Sequence, residues 1–109
     1  MKVSARNVFN GQITALTDGP VNAEVELTLA GGDKLVAIVT EGSVQSLGLA
    51  VGKEAIAFVK APWVMVLAGE PEVKFSARNQ LTGTVAALSK GAVNTEVAIA
   101  LAGGSTVYA

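Results

Sequence analysis

The sequence contains one segment twice, and this repetition limits the folds open to the chain more than any other feature. Residues 4–37 align with residues 76–109 at a constant offset of 72 without a gap, and 17 of the 34 aligned positions are identical. Agreement at this level predicts two copies of one structural module. Each copy opens with the tetrapeptide Ser-Ala-Arg-Asn, at residues 4–7 and 76–79. We therefore expect the two tetrapeptides to do equivalent work.

The two predicted modules differ in extent. The first covers residues 2–67, a short polar linker follows, and the second covers residues 74–109 as the N-terminal part of a module. Nothing in the second copy corresponds to residues 38–66, and a chain that stops inside a strand leaves an unpaired edge. We expect either a fragment of a longer two-module protein or completion of the second module by another chain. The apolar residues expected to lack cover are Val85, Leu88, Val97, Ile99 and Leu101.

Alternation of apolar and polar residues predicts strands through most of the first module. The predicted strands are Asn7–Leu16, Asn22–Ala30, Lys34–Thr40, Val51–Ala61 and Trp63–Leu67. Between the third and fourth, Ser43 is expected to cap a short helix that buries Val44 and Leu47 and ends at Gly48. Five strands with one helix in this place follow the order of an OB-fold. The predicted fold class is all-β, a five-stranded OB-fold barrel with one short helix, duplicated, with the second copy incomplete.

Composition excludes several functional classes. The chain has no Cys and no His, which removes disulfides, thiolate nucleophiles, Ser-His-Asp catalysis and the usual zinc sites. A net charge of -1 with three Phe, one Tyr and one Trp argues against an OB module that binds oligonucleotides. The apolar run Ala61–Gly69 is too short to cross a bilayer, and the N-terminus shows no signal peptide. We expect a cytoplasmic protein that is not an enzyme and contacts neither nucleic acid nor membrane.

Three stretches of the first module resemble one known family. These are Ser-Ala-Arg-Asn at residues 4–7, Val-Asn-Ala-Glu-Val at residues 21–25 and the segment Val51–Val64. Together they resemble the Mop (molbindin-like) domain, called TOBE in transport ATPases, and the tandem arrangement is similar to that of molybdate-storage members of the family. The resemblance implies an OB-fold that binds molybdate, or tungstate, at interfaces between modules of a homo-oligomer, without a further cofactor.

The resemblance also implies which residues contact the oxyanion. The first loop would supply Ser4, Ala5 and Arg6, and the end of the fourth strand Lys60 and Ala61. A neighbouring module would supply Thr40 and Ser43. In the second copy the matching residues are Ser76, Ala77 and Arg78, whereas the counterparts of Thr40, Ser43, Lys60 and Ala61 lie beyond residue 109.

The chemistry of these residues suits a tetrahedral dianion when it is considered separately. Ser4, Thr40 and Ser43 can donate hydroxyl hydrogens, and Lys60 supplies a compact positive charge. Arg6 can offer either its guanidinium fork or its backbone amide. The one carboxylate in these stretches, Glu41, is expected to point away from the anion.

Ordinary structural roles compete with these assignments. Ser4 and Asn7 are also typical turn residues, Lys60 can be a solvated strand end, and Trp63 is expected in a core or an interface rather than at a ligand. Glu24 and Glu96 are predicted on outward faces, too far apart to form an acid–base pair. The leading hypothesis is an intracellular molybdate-binding protein for storage or homeostasis. The alternative is a molybdate-sensing domain of a transcription factor or a transport ATPase.

Overall fold

The chain forms seven strands and one short helix in a computed structural model that describes residues 2–109. The elements in chain order are β1 (Asn7–Asp18), β2 (Asn22–Leu29), β3 (Lys34–Thr40), α1 (Glu41–Leu47), β4 (Glu54–Val59), β5 (Gly83–Lys90), β6 (Thr95–Leu101) and β7 (Thr106–Tyr108). The strands make two antiparallel sheets, ordered β3-β2-β1-β4 and β5-β6-β7.

The long strand β1 explains how the first sheet curls. Its first half, Asn7–Gln12, pairs with β4, and its second half, from Gly11 onward, pairs with β2. The register shifts between Ile13 and Ala15, which marks a bulge that bends the strand and increases its twist. One strand thus pairs with two neighbours over different parts of its length. The predominance of strand, the single short helix and the curled sheets confirm the predicted all-β OB-fold class.

Both modules contribute to one hydrophobic core. Strand β2 alternates as predicted and turns Ala23, Val25, Leu27 and Leu29 inward. Phe9 and Ile13 of β1 pack with the last three of these, and Leu101 and Val107 of the second module join the same cluster. Burying each such side chain contributes about 1.5–3 kcal/mol. The modules are therefore joined by apolar contact as well as by the linker.

Helix α1 forms where it was predicted, although its cap and its buried face differ. The N-cap is Thr40, whose hydroxyl oxygen accepts a hydrogen bond from the Ser43 amide, so Ser43 lies within the first turn. Gly48 ends the helix in the left-handed conformation with φ of 65°, which glycine adopts without steric cost. Val44 is buried, but Leu47 is 71% exposed, because a helix of seven residues rests only one turn on the sheet.

The last part of the first module departs from the prediction. Strand β4 is shorter than Val51–Ala61, since Val51 and Gly52 form a turn before it. The predicted fifth strand, Trp63–Leu67, is wrong. Residues Ala61–Trp63 make one turn of 3-10 helix, in which Pro62 has no amide hydrogen to offer a sheet ladder. Trp63 is 69% exposed and is therefore no core residue.

The second sheet repeats the design of the first with fewer strands. Strand β5 pairs with β6, and the register shifts between Val85 and Ala87, which matches the shift in β1 at an offset of 72. The expectation of uncovered apolar residues is correct for Val85 and Leu88, which are exposed, and wrong for Leu101, which is buried in the shared core. Val97 and Ile99 are half-buried, so they are only partly uncovered.

Candidate functional site

The asparagine of each repeated tetrapeptide clamps an edge strand of the opposite module. Asn7 donates from Nδ2 to the Tyr108 carbonyl at 2.8 Å and accepts at Oδ1 from the Tyr108 amide at 2.7 Å. Asn79 makes the same two bonds to the backbone of Val36, at 2.8 and 2.7 Å. Val36 and Tyr108 are themselves 72 residues apart. Each side-chain amide thus replaces the hydrogen bonds that a neighbouring strand would make at one residue. Asn7 is only 1% exposed, and both polar atoms of its side chain are hydrogen-bonded.

The arginine of each tetrapeptide forms an ion pair with a glutamate of the opposite module. Arg6 donates from Nε and Nη2 to the two carboxylate oxygens of Glu96, at 2.9 and 2.8 Å, and its guanidinium lies 4.3 Å from the centre of the Tyr108 ring. Arg78 makes the reciprocal pair with Glu24. The hydrogen bond from Arg6 lowers the pKa of Glu96 below its ordinary value, and the bond to Glu96 raises the pKa of Arg6.

These pairs bear on a choice that the sequence left open for Arg6. Arg6 binds a carboxylate through Nε and Nη2, and Arg78 binds one through Nη2, which leaves Nη1 and the backbone amide of Arg6 as donors outside the ion pair. Glu24 and Glu96 form no acid–base pair with each other. Each lies against an arginine of the other copy, a role that the sequence analysis did not assign.

The reciprocal contacts define an approximate two-fold relation between the modules. Gly31 and Gly103, again 72 residues apart, meet back to back at their hairpin turns, where a Cβ on either residue would overlap the other's backbone. Asp33 accepts a hydrogen bond from the Gly103 amide at 3.1 Å beside this contact. We call this set of contacts the module interface: Gly31 with Gly103, the two asparagine clamps and the two Arg–Glu pairs.

The second tetrapeptide runs alongside β3. Asn79 is bound at Val36, whereas Arg78, one residue earlier, reaches Glu24, whose partner across the sheet is Ile38. The earlier residue of the tetrapeptide therefore lies beside the later residue of β3. The two segments run antiparallel. The first two residues of the tetrapeptide are therefore directed toward the end of β3 and the start of α1.

Five of the ten predicted site residues lie on the two segments that these contacts join. They are Thr40 and Ser43 from the first module and Ser76, Ala77 and Arg78 from the second, and we call them the inter-module cluster. Ser76 and Arg78 are exposed, and Ser43 is half-buried. The cluster contains hydroxyl and backbone amide donors from both modules.

The hydroxyls of the first-module pair have a defined direction. Thr40 Oγ1 accepts from the Ser43 amide at 3.1 Å and donates its own hydrogen to Ser43 Oγ at 2.9 Å. The hydroxyl hydrogen of Ser43 therefore remains available to donate outward. Glu41 accepts from the Gly19 amide at 3.3 Å, on the side of the β1–β2 turn. Desolvation raises the pKa of Glu41, and the neighbouring Asp18 adds to the rise.

The other five predicted residues lie at the opposite end of β1. Strand β1 starts at Asn7 opposite Val59, the last residue of β4, so the residues just outside this pair are neighbours. We call them the strand-end cluster: Ser4, Ala5 and Arg6 before β1, and Lys60 and Ala61 after β4. Lys60 is exposed and precedes the 3-10 turn, whose first amides have no side-chain cap. The first module therefore does not bring Thr40 and Ser43 to Lys60.

One surface concavity lies away from both clusters. It measures about 720 Å³ and is lined by β1, β2 and β4, with Gln12, Thr14 and Glu54 among its polar residues. A carboxylate and no cation make this lining unsuited to a dianion. Within residues 2–109, no group of three or more acidic side chains is placed to hold a metal ion. No helix of the described chain has the length and apolar character that a membrane crossing needs.

Sequence reasoning missed the residues of the module interface. Asn7 was weighed as a turn residue, and Glu24 as a solvated strand position. A signal was present, because Arg, Asn and Glu recur at equal spacing in both copies. Two charge-complementary residues repeated in each of two similar modules can pair reciprocally across an approximate two-fold axis.

Comparison with known proteins identifies the same modules elsewhere. A profile of the TOBE domain matches residues 3–66 and again residues 76–109. The molybdenum-pterin-binding protein MopA of Rhodobacter capsulatus is 48% identical over 93% of this chain, and the molybdenum transport protein ModE of Azotobacter vinelandii is 46% identical over 98%. The chain spans only 38% and 39% of the length of these two relatives.

Solved structures match over the whole chain or one module. The cytoplasmic molybdate-binding protein ModG, in a crystal form with molybdate bound, is 55% identical and superposes with a TM-score of 0.93, covering 100% of this chain and 77% of the ModG chain. MopII of Clostridium pasteurianum is 45% identical with a TM-score of 0.58, and all of its chain matches 62% of this one.

Proposed function

This chain belongs to the TOBE domain family, and on that premise we propose that it binds molybdate, or the similar dianion tungstate, as an oxyanion for storage or homeostasis in the cytoplasm. In this proposal the protein is a binding protein rather than an enzyme, with no cofactor besides the bound anion. Relatives named for molybdenum, and ModG with molybdate bound, support the ligand. ModG is also described as cytoplasmic, which supports the compartment.

The observation that carries the proposal is the attachment of the second tetrapeptide to β3, which supports a convergence of donors from two modules in the inter-module cluster. A tetrahedral dianion without protons needs several N–H and O–H donors and no nearby acceptors. Ser43 keeps a hydroxyl hydrogen for an external acceptor, and Glu41 is engaged at Gly19. The backbone amides of Ala77 and Arg78 add neutral donors, while the Arg78 guanidinium is held by Glu24.

The strand-end cluster supports the proposal of a homo-oligomer. Ser4, Ala5, Arg6, Lys60 and Ala61 offer a cation and donors, but the hydroxyl pair of the first module lies at the other end of β1. A second copy would supply the missing donors. Large apolar side chains beside this cluster, Trp63 and Met65, are exposed and available for such a contact.

Isothermal titration of the whole chain with molybdate, with phosphate as a control anion, tests the function. We expect Lys60→Ala to weaken molybdate binding by about 2 kcal/mol, since a charge-assisted hydrogen bond is lost. Ser4→Ala should weaken it by about 1 kcal/mol. The matched control is Lys90→Ala, which removes a lysine at the end of β5, away from both clusters.

The titrations test the function and the role of Lys60 separately. If the unchanged protein binds no molybdate, the proposed function is wrong. If Lys60→Ala and Lys90→Ala bind molybdate as well as the unchanged protein does, Lys60 has no part in the site. Sedimentation with and without molybdate tests the oligomer, because an anion shared between two copies must tighten their association.

The second candidate function is molybdate sensing within a regulator. The 46% identity to ModE over 98% of the chain favours it, since the same pair of modules occurs in proteins of that name. Deletion of the gene distinguishes the two roles. Loss of storage lowers the molybdenum content of cells, whereas loss of sensing changes molybdate-dependent transcription.

A further inference from the structure

We infer that Asn79, assisted by Gln80 and Glu24, is a positioning residue that holds the second tetrapeptide against β3 and so assembles the inter-module cluster. None of these three side chains needs to touch the anion. The inference rests on the proposed function, because it specifies how that site is held together. Asn79 would thus affect the affinity for the anion without being one of the donors that contact it.

The first argument is that residues 76–79 belong to no strand and depend on side chains for their position. Asn79 Oδ1 accepts from the Val36 amide at 2.7 Å, and Nδ2 donates to the Val36 carbonyl at 2.8 Å. Two bonds to one residue fix both the distance and the direction of the segment relative to β3. Ser76 and Ala77 have no such anchor of their own among the bonds of the described chain, so their distance from Thr40 depends on this clamp.

The second argument concerns acceptors. Gln80 donates from Nε2 to the carbonyl of Ala77 at 2.8 Å and to that of Phe75 at 3.3 Å. A carbonyl oxygen turned toward a dianion would repel it, whereas a carbonyl bound to Gln80 is held away while the amides remain free. The first copy carries Val8 at the matching position and lacks this brace.

The third argument concerns charge. The carboxylate of Glu24 occupies the guanidinium of Arg78, so that side chain extends across β2 rather than toward the anion. The Arg78 side chain then acts as a second tether beside Asn79, one residue away from it. The cluster is left with neutral donors whose directions are set by the two tethers.

Linkage gives this inference a direct test. If the clamp strengthens anion binding, then anion binding must strengthen the clamp by the same factor. The Val36 amide donates to Asn79, so its hydrogen exchange reports the clamp. The Gly52 amide, bonded to the Ile13 carbonyl at 2.8 Å, is held within the first module and serves as an internal control.

The experiment is amide hydrogen exchange of the whole chain with and without saturating molybdate. Exchange at Val36 should slow by about tenfold, within the usual range of coupling between sites, and exchange at Gly52 by less than about twofold. Molybdate titrations of two variants complete the test. Asn79→Ala should lose about tenfold in affinity, and Gln80→Val, which installs the residue of the first copy, about fivefold.

Asn10→Ala is the matched control, since Asn10 is exposed on β1 outside both clusters, and its molybdate affinity should stay within about twofold. Unchanged exchange at Val36 together with normal binding by Asn79→Ala would overturn the inference alone. Failure of the unchanged protein to bind molybdate would overturn the proposed function and the inference with it. Slower exchange at Val36 and Gly52 alike would indicate general stabilisation, which also contradicts a positioning role for Asn79.

Discussion

Strands β1 and β5 come from copies of one sequence but lie in different surroundings. Ile13 of β1 is 0% exposed, whereas Val85, at the matching position of β5, is 53% exposed. The difference is in their neighbours, because β1 pairs on both edges, with β2 and β4, while β5 pairs with β6 alone within residues 2–109. Burial of an apolar residue is thus decided by what the rest of the chain places over it, even when the local sequence is nearly the same.

The two halves of the module interface differ in a similar way. Arg6 contacts both Glu96 and the ring of Tyr108, while Arg78 contacts Glu24, and the residue that matches Tyr108 is the aliphatic Val36. Asn7 is buried at its clamp, whereas Asn79 is exposed at the other. The clamp of Asn7 is therefore shielded from solvent, whereas the clamp of Asn79 is open to it.

The largest effect is expected from truncating Ile13, the buried residue of the matched positions Ile13 and Val85. Ile13→Ala should lower the free energy of unfolding by about 3 kcal/mol, since it removes methyl groups from the packed core and leaves a cavity. Val85→Ala, its counterpart in β5, should change it by no more than about 0.5 kcal/mol. Urea denaturation measures both, and equal losses would show that β5 is covered in solution.

A smaller difference is expected between the two asparagine clamps. Asn7→Ala should cost about 2 kcal/mol of stability, because it leaves the amide and carbonyl of Tyr108 without partners in a buried place. Asn79→Ala should cost about 1 kcal/mol, since water can reach the freed groups of Val36. Thermal unfolding of the two variants ranks them, and the reverse order would contradict the larger stability effect expected for Asn7.

The glycine contact should matter somewhat less. Gly31→Ala places a methyl group against the backbone of Gly103, and relief of the overlap by a shift of the hairpins should cost about 1–2 kcal/mol. Gly42→Ala is the control, because its Cβ would make only ordinary contact inside α1. That change should be neutral or slightly stabilising, as expected for alanine in a helix. Chemical denaturation of both variants checks the difference.

The smallest effect is a dependence on pH. Arg6 lowers the folded-state pKa of Glu96 below its unfolded value, so the ion pair contributes stability above the ordinary glutamate pKa of about 4.3, and that contribution is lost as the pH falls through the lower folded value. Both groups are exposed, so the change in unfolding temperature should be slight. Glu96→Gln should remove this part of the acid sensitivity, and an identical pH profile for the variant would exclude the pair as its source.

Local patterns allowed the strands and helix of the first module to be predicted, but not the contacts between modules. Alternation identified β2, and the glycine Gly48 identified the end of α1, because both depend on neighbours in sequence. The segment Trp63–Leu67 has the apolar character of a strand, yet nothing in the sequence shows whether a neighbouring strand will pair with it. The roles of Asn79 and Glu24 were missed for the same reason, since their partners are 43 and 54 residues away.

The reciprocal Arg–Glu pairs have a consequence for protein engineering. Exchanging the charges of one pair, with Arg6→Glu and Glu96→Arg together, keeps that pair compatible with itself but makes either module repel an unaltered copy of its mate. Modules with exchanged charges would bind one another selectively, as charged positions do in designed coiled coils. Proteins fused to modules with different charge pairs could then be assembled in a chosen order.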